Sequence, residues 1–162
     1  MKKHLIFYSI TFLMASCGGS PESTEGTKNS APLQDQTSAT TENGNPSYDP
    51  NRGEGKYTSV DLGATLDVAK ADMGEKIAGV KCFSCHKTTD EKLVGPGWKG
   101  VTERRQPHWI LNFITNPDPM IDKDPAVQAQ LELCLVRMPN QGLNDDEARS
   151  ILEFMRKNDG VK

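Results

Sequence analysis

The chain has 162 residues, of which 25% are charged and only 35% hydrophobic, with mean hydropathy −0.60. That is enough chain for about one domain. Net charge is −3, without the basic excess that nucleic-acid-binding domains usually carry, so no nucleic-acid partner is expected. Four cysteines are too few for a disulfide-dense scaffold, and no run of 18 apolar residues offers a spanning helix.

The chain opens Met1-Lys2-Lys3-His4 and continues with a short apolar run from Leu5 to Ala15. Two lysines ahead of such a run have the form of a secretory signal over residues 1–16, too short to cross a bilayer. The segment Leu13-Met14-Ala15-Ser16-Cys17 resembles the lipobox of bacterial lipoproteins, with Met14 where Leu is commoner. The resemblance implies that the Cys17 thiol takes a lipid and becomes the first mature residue. Residues 17–64 then read as the lipidated cysteine and a linker. Ser, Thr, Asn, Gly, Pro and Glu dominate, and Leu33, Val60 and Leu62 are the large aliphatics. Too little apolar surface is present to offset chain entropy, so disorder is expected, with Tyr48 and Tyr57 the residues that could dock.

Residues 65–162 carry the core and read as helices joined by Gly/Pro loops. The first spans Val68 to Lys81, with Met73, Ile77 and Val80 assigned to one face. A short helix runs from Pro107 to Thr115, closed by Asn116-Pro117, after which Met120 is assigned to a loop. A third runs from Pro125 to Leu135. The last is capped by Asn144 with Glu147 three residues on, followed by a stripe of Ala148, Ile151, Leu152 and Met155. No run alternates with period two for long enough to predict a strand. So few aromatics, 6% of the chain, make a thin core that calls for a cofactor.

Cys82-Phe83-Ser84-Cys85-His86 supplies the reason. C-x-x-C-H is the attachment motif for c-type haem: the two thiols become thioethers and the adjacent imidazole becomes an iron ligand. Its chance expectation at this composition is about two in a thousand. Two alternatives use the same residues. One is a redox disulfide, which lacks its usual βαβ surroundings. The other is a zinc site completed by His108 or Cys134.

Taken together, residues 65–158 resemble a class I monohaem cytochrome c, which implies an all-α fold with helices wrapped around one covalently bound haem. Gly74, eight residues before Cys82, matches the small residue that lets the first and last helices cross closely. Ala78 stands where the family usually has an aromatic, and Phe154 is the candidate to compensate. Gly95-Pro96-Gly97-Trp98-Lys99-Gly100 resembles the family's loop in which a proline carbonyl accepts the free N–H of the proximal histidine. The resemblance therefore assigns that carbonyl to Pro96 and haem packing to Trp98. Met138-Pro139, 52 residues after His86, resembles the distal Met-Pro, making Met138 the expected sixth ligand and Met120 its rival. Arg104, Arg105 and Trp109 are candidates to meet the haem propionates, the indole through its N–H. Cys134 reads as a buried thiol. Lys81, Lys87, Lys92 and Lys99 flank the motif and could steer an acidic redox protein.

The expected function is periplasmic one-electron transfer by a lipid-anchored carrier rather than an enzyme, with a respiratory reductase or oxidase as partner. The alternative is an open-site haem sensor or enzyme subunit, distinguished by whether Met138 binds the iron.

Overall fold

The computed structural model describes residues 47–162. The signal segment, Cys17 and the linker as far as residue 46 lie outside the described residues. Among those described there are six helices and no strand: α1 (Val68–Lys81), α2 (Val101–Arg104), α3 (Pro107–Thr115), α4 (Pro117–Lys123), α5 (Pro125–Cys134) and α6 (Asp145–Asn158). α1 packs chiefly on α6, α3 on α6 and α4, and α4 on α5. No described helix is long and apolar enough to cross a membrane.

α1 begins where the Asp67 carboxylate accepts from Lys70 N at 3.0 Å. Its buried face is Ala71, Gly74 and Ala78; of the stripe read from the sequence only Ile77 packs against the core. Met73 is 53% exposed and Val80 85% exposed. Small residues win this face because α6 approaches to backbone distance. A Cβ on Gly74 would stand 2.0 Å from the Ser150 carbonyl oxygen. The bulk missing from Ala78 is supplied elsewhere: the Phe154 ring lies 5.9 Å from Phe83 and 6.3 Å from Trp98.

α6 has the expected capping box. Glu147 N donates to Asn144 Oδ1 at 2.9 Å, and Asn144 N donates back to Glu147 Oε2 at 3.0 Å. Acidic Asp145, Asp146 and Glu147 occupy its first turn and basic Arg156 and Lys157 its last, each favourable to the helix dipole. Ala148, Ile151, Leu152 and Met155 are buried as expected.

Met120 lies in a helix, α4, and not in a loop. Pro117 and Pro119 read as breakers, but both fall in the first turn, where backbone N–H groups have no intrahelical acceptor to lose. α2 is a single turn, too short for periodicity to register. Its start is capped from afar: Asp159 accepts from Gly100 N at 2.6 Å, Thr102 N at 2.9 Å and Thr102 Oγ1 at 2.7 Å.

The segment 48–66 is not free linker; the domain begins before residue 65. Asn112, fully buried on α3, takes Tyr57 N at 2.9 Å and donates to Tyr57 O at 2.9 Å and Arg52 O at 3.1 Å. Arg149 and Arg156 of α6 donate to the carbonyls of Asp61 and Gly63 at 2.7 and 2.9 Å. Composition misled here because much of the attachment is polar, through carbonyls and side chains, with only Tyr57, Val60 and Leu62 adding apolar packing on the core. Gly53 and Gly55 admit the close approach: a Cβ on either would meet Met120 or Asn112 within 2.5 Å.

The α1–α6 crossing yields a paired expectation. Gly74→Ala forces backbone apart and costs about 1–3 kcal/mol by the usual penalty for overpacking. Gly79→Ala, on the open side of the same helix with nothing within 4 Å, stabilises by about 0.5–1 kcal/mol. Urea melts of the two holoproteins against the unmodified chain check both signs.

Candidate haem site

α1 ends at the motif. Cys82 N and Phe83 N still donate to Ala78 O, at 2.8 and 3.0 Å, and His86 N donates to Cys82 O at 3.0 Å. The five motif residues thus form a tight turn set directly on the helix end. The loop that follows folds back on it: Val94 N and Gly95 N both reach Cys85 O, and Trp98 N donates to Lys87 O at 2.9 Å.

These elements wall a cavity of about 400 Å³. Cys82, Cys85, His86, Pro96, Trp98, Arg105, Trp109 and Met138 all line it. Eight residues from four separate stretches of sequence therefore meet at one place. The sequence reading missed much of the apolar lining, including Ile110, Phe113, Ile114 and Leu131. Their helical periodicity was the available signal.

His86 is the best-defined member. Its Nδ1 lies 2.8 Å from the Pro96 carbonyl oxygen. A carbonyl only accepts, so Nδ1 carries the proton and Nε2 keeps its lone pair, the tautomer an iron ligand requires. Burial pushes the imidazole below its ordinary value, against a smaller opposing effect of the Pro96 contact. The ring is closely packed. A Cβ on Gly95 would sit 2.4 Å from His86 Cε1, and the Trp98 ring lies 5.6 Å from the imidazole. Trp98 also meets Phe83 at 5.8 Å, edge to face.

Cys82 and Cys85 are not joined to each other in a disulfide, and burial pushes the Cys82 thiol up to about 11. Among the described residues, no three His, Cys, Asp or Glu side chains converge as they would around a zinc ion. Neither His108 nor Met120 lines the cavity. Met120 is fully buried in the core beside Gly53. Cys134, half-buried, faces the same cavity from the end of α5.

Trp109 takes part differently from expectation. Its Nε1–H donates to Asp124 Oδ2 at 2.8 Å, so that proton is committed inside the protein and not to a propionate. The ring contributes a cavity wall, stacked on Phe113 at 5.2 Å. The Arg105 guanidinium lies over it, 4.4 Å from the centroid, and also lines the cavity. Arg104 donates to Lys99 O at 2.8 Å.

The lysines near the motif are largely engaged. Lys81 pairs with Glu147 at 3.2 Å, Lys87 pairs with Glu91, and Lys92 donates to Leu133 O at 2.8 Å. Apolar Val80, Val94 and Val136, all exposed, border the cavity instead.

The donor set fits a c-type haem: two thiols, an oriented imidazole, and an apolar slot closed by aromatic rings. Comparison with known proteins agrees. The family described as Cytochrome c matches residues 71–159. Cytochrome c from Rhodothermus marinus is 34% identical, with a TM-score of 0.63 over 65% of this chain and 90% of that one. An engineered form of that cytochrome is 33% identical with a TM-score of 0.62 over the same shares. Another structure of the engineered form, bound to a carbene intermediate, is 33% identical with a TM-score of 0.59, again over 65% and 90%. No curated protein matches. The chain belongs to the cytochrome c family, with the class I all-α fold, a covalently attached haem c as cofactor and haem-based electron transfer as its activity.

Proposed function

We propose that this protein is a lipid-tethered, periplasmic carrier of single electrons that serves a respiratory reductase or oxidase. The observation that carries the reading is the meeting of Cys82, Cys85, His86 and Met138 on one apolar cavity. Haem c, alternating between ferrous and ferric iron, supplies the redox chemistry. Cys82 and Cys85 hold the group through thioether bonds. His86 would supply one ligand to the iron, kept in orientation by Pro96 and by the absence of a side chain at Gly95. Met138 would supply the other, its soft thioether favouring the reduced state relative to a second imidazole. Trp98, Phe83 and Phe154 exclude water on the histidine side. Arg105, stacked and therefore held in place, offers its guanidinium to a carboxylate of the cofactor. Cys17, with its lipobox-like surroundings, supports attachment to a bacterial membrane.

Pairing of Lys81 and Lys87 weakens the case for long-range steering by a basic face. Opposite charges side by side cancel beyond a few ångströms in salt. Contact through the apolar rim is the better-supported mode of docking.

Covalent attachment has a simple check. After denaturation and extraction with acidified organic solvent, the haem is expected to stay with the protein. Haem in the solvent layer would refute thioether linkage through Cys82 and Cys85.

The ligand assignment predicts that Met138→Ala loses the weak red charge-transfer band of methionine-bound ferric haem. The potential drops, and the reduced form binds carbon monoxide. Met120→Ala keeps the band, although emptying a core site costs about 2–5 kcal/mol of stability. Visible spectra and redox titration distinguish the two. Rapid carbon monoxide binding by the unmodified protein would instead favour the open-site alternative.

Cys17→Ser is expected to move the haem protein from the membrane fraction to the soluble one, read by haem stain after a high-salt wash. Retention in the membrane would remove the lipid-anchor reading.

A further inference from the structure

Asp124 is a carboxylate-centred junction beside the haem cavity, met above only as the acceptor of the Trp109 N–H. It is 1% exposed. Four donors converge on it. Tyr48 Oη–H reaches Oδ2 at 2.6 Å and Trp109 Nε1–H reaches the same oxygen at 2.8 Å. Ala126 N and Val127 N, at the start of α5, reach Oδ1 at 2.8 and 3.1 Å. Every partner is a donor, so the arrangement suits an ionised, acceptor-only carboxylate.

The four donors come from three places. Tyr48 begins the segment 48–66 that binds across the outside of the helices. Trp109 belongs to α3, and Ala126 and Val127 open α5. Trp109, Ala126 and Val127 all line the haem cavity. Tyr48 lies outside the stretch that matches the family, residues 71–159. Burial first, then the bond to Asp124, push the Tyr48 hydroxyl well above its ordinary value, so it remains a donor. Arg105, which lines the cavity, lies across the face of Trp109.

We propose that Asp124 is a positioning residue of the electron-transfer site: it fastens the segment starting at Tyr48 to the cavity wall, and its fixed negative charge lowers the reduction potential. Ferric haem carries one more positive charge than ferrous haem, so a buried anion beside the cavity favours the oxidised state. Hydrogen bonds to that anion draw off part of its charge and soften the effect. The segment 48–66 thereby acts on the potential without contributing a ligand.

The test is redox titration of the full-length holoprotein, with the methionine–iron band recorded alongside. Asp124→Asn removes the charge and is expected to raise the potential. Tyr48→Phe removes one donor while keeping the charge, and is expected to lower it. Opposite signs are the signature, because simple loosening of the wall would admit water in both variants and move both the same way. Glu54→Gln, which disturbs only the exposed Glu54–Lys123 pair, is the control and should leave the potential in place. Shifts of the same sign, no shift in either variant, or an equal shift in the control would overturn the proposal. If Asp124→Asn does not assemble, Tyr48→Phe decides. A drop with the band intact and no faster hydrogen exchange at the Trp109 Nε1–H supports the role; no change, a rise, or a drop accompanied by faster exchange there defeats it. The inference rests on the haem reading above, whose failure would show separately, as absence of covalent haem from the unmodified protein.

Discussion

The contact between the backbones of α1 and α6 at Gly74 is what the rest of the domain depends on. A side chain at that position would collide with the Ser150 carbonyl. Without one, the helices cross closely enough to bury Ala71 and Ala78 against α6, and α1 ends at a fixed point. Cys82 starts there. The motif turn is hydrogen-bonded onto the last residues of the helix, so the position of His86 is inherited from the crossing. The loop 87–99 then closes over the motif through Cys85 O and Lys87 O and brings Pro96 to the imidazole. Crossing, turn, loop and oriented ring form one sequence of dependence.

The two sides of the cavity are built by different means. Around His86 the structure relies on rings and on the absence of a side chain at Gly95, which gives shape and orientation. Around Trp109 it relies on a buried charge. A buried carboxylate is costly unless its acceptors are filled, and here they are. The same solution recurs at Glu153, 1% exposed, which accepts from both Arg156 Nη1 contacts at 2.8 and 2.9 Å. Arg156 in turn holds Gly63 O. Both buried acids thus lie where the segment 48–66 meets the helices. A thin apolar core is supplemented at its margins by buried, hydrogen-bonded carboxylates, each joining chain segments distant in sequence.

Much of this was legible in the sequence, for reasons that differ by residue. Cys82, Cys85 and His86 are dictated by covalent chemistry at fixed spacing, which no packing context can alter. α6 announced itself by a capping box and a regular stripe, and α3 and α5 by proline at the first turn. α1 was placed correctly but rotated wrongly, because its buried face is made of alanine and glycine. A hydrophobicity pattern cannot distinguish such a face from an exposed one; Met73 and Val80 outweighed it in the sequence and lie outside in the structure. Met120 was misread because proline usually ends helices, whereas here it begins one. The role of Trp109 could not be read at all: it is fixed by Asp124, and nothing in a linear pattern shows that Tyr48 will complete the set. Of the fastening of 48–66 only Tyr48 and Tyr57 were legible, since the carbonyls that hold the rest carry no sequence identity.

Asp159, immediately after the last helix, caps α2 through three hydrogen bonds, and its neighbour Asn158 donates to Thr88 O at 2.9 Å. The wall beside Trp98 is therefore held by residues that follow the last helix. Its contacts close loops of 57 to 70 residues, so they form late in folding, after the entropy of closure has been overcome. Until then the slot between the motif turn and α3 lacks its final brace. Entry of a flat, rigid molecule is easiest in that interval. The long-range brace thereby ties closure of the slot to completion of the fold.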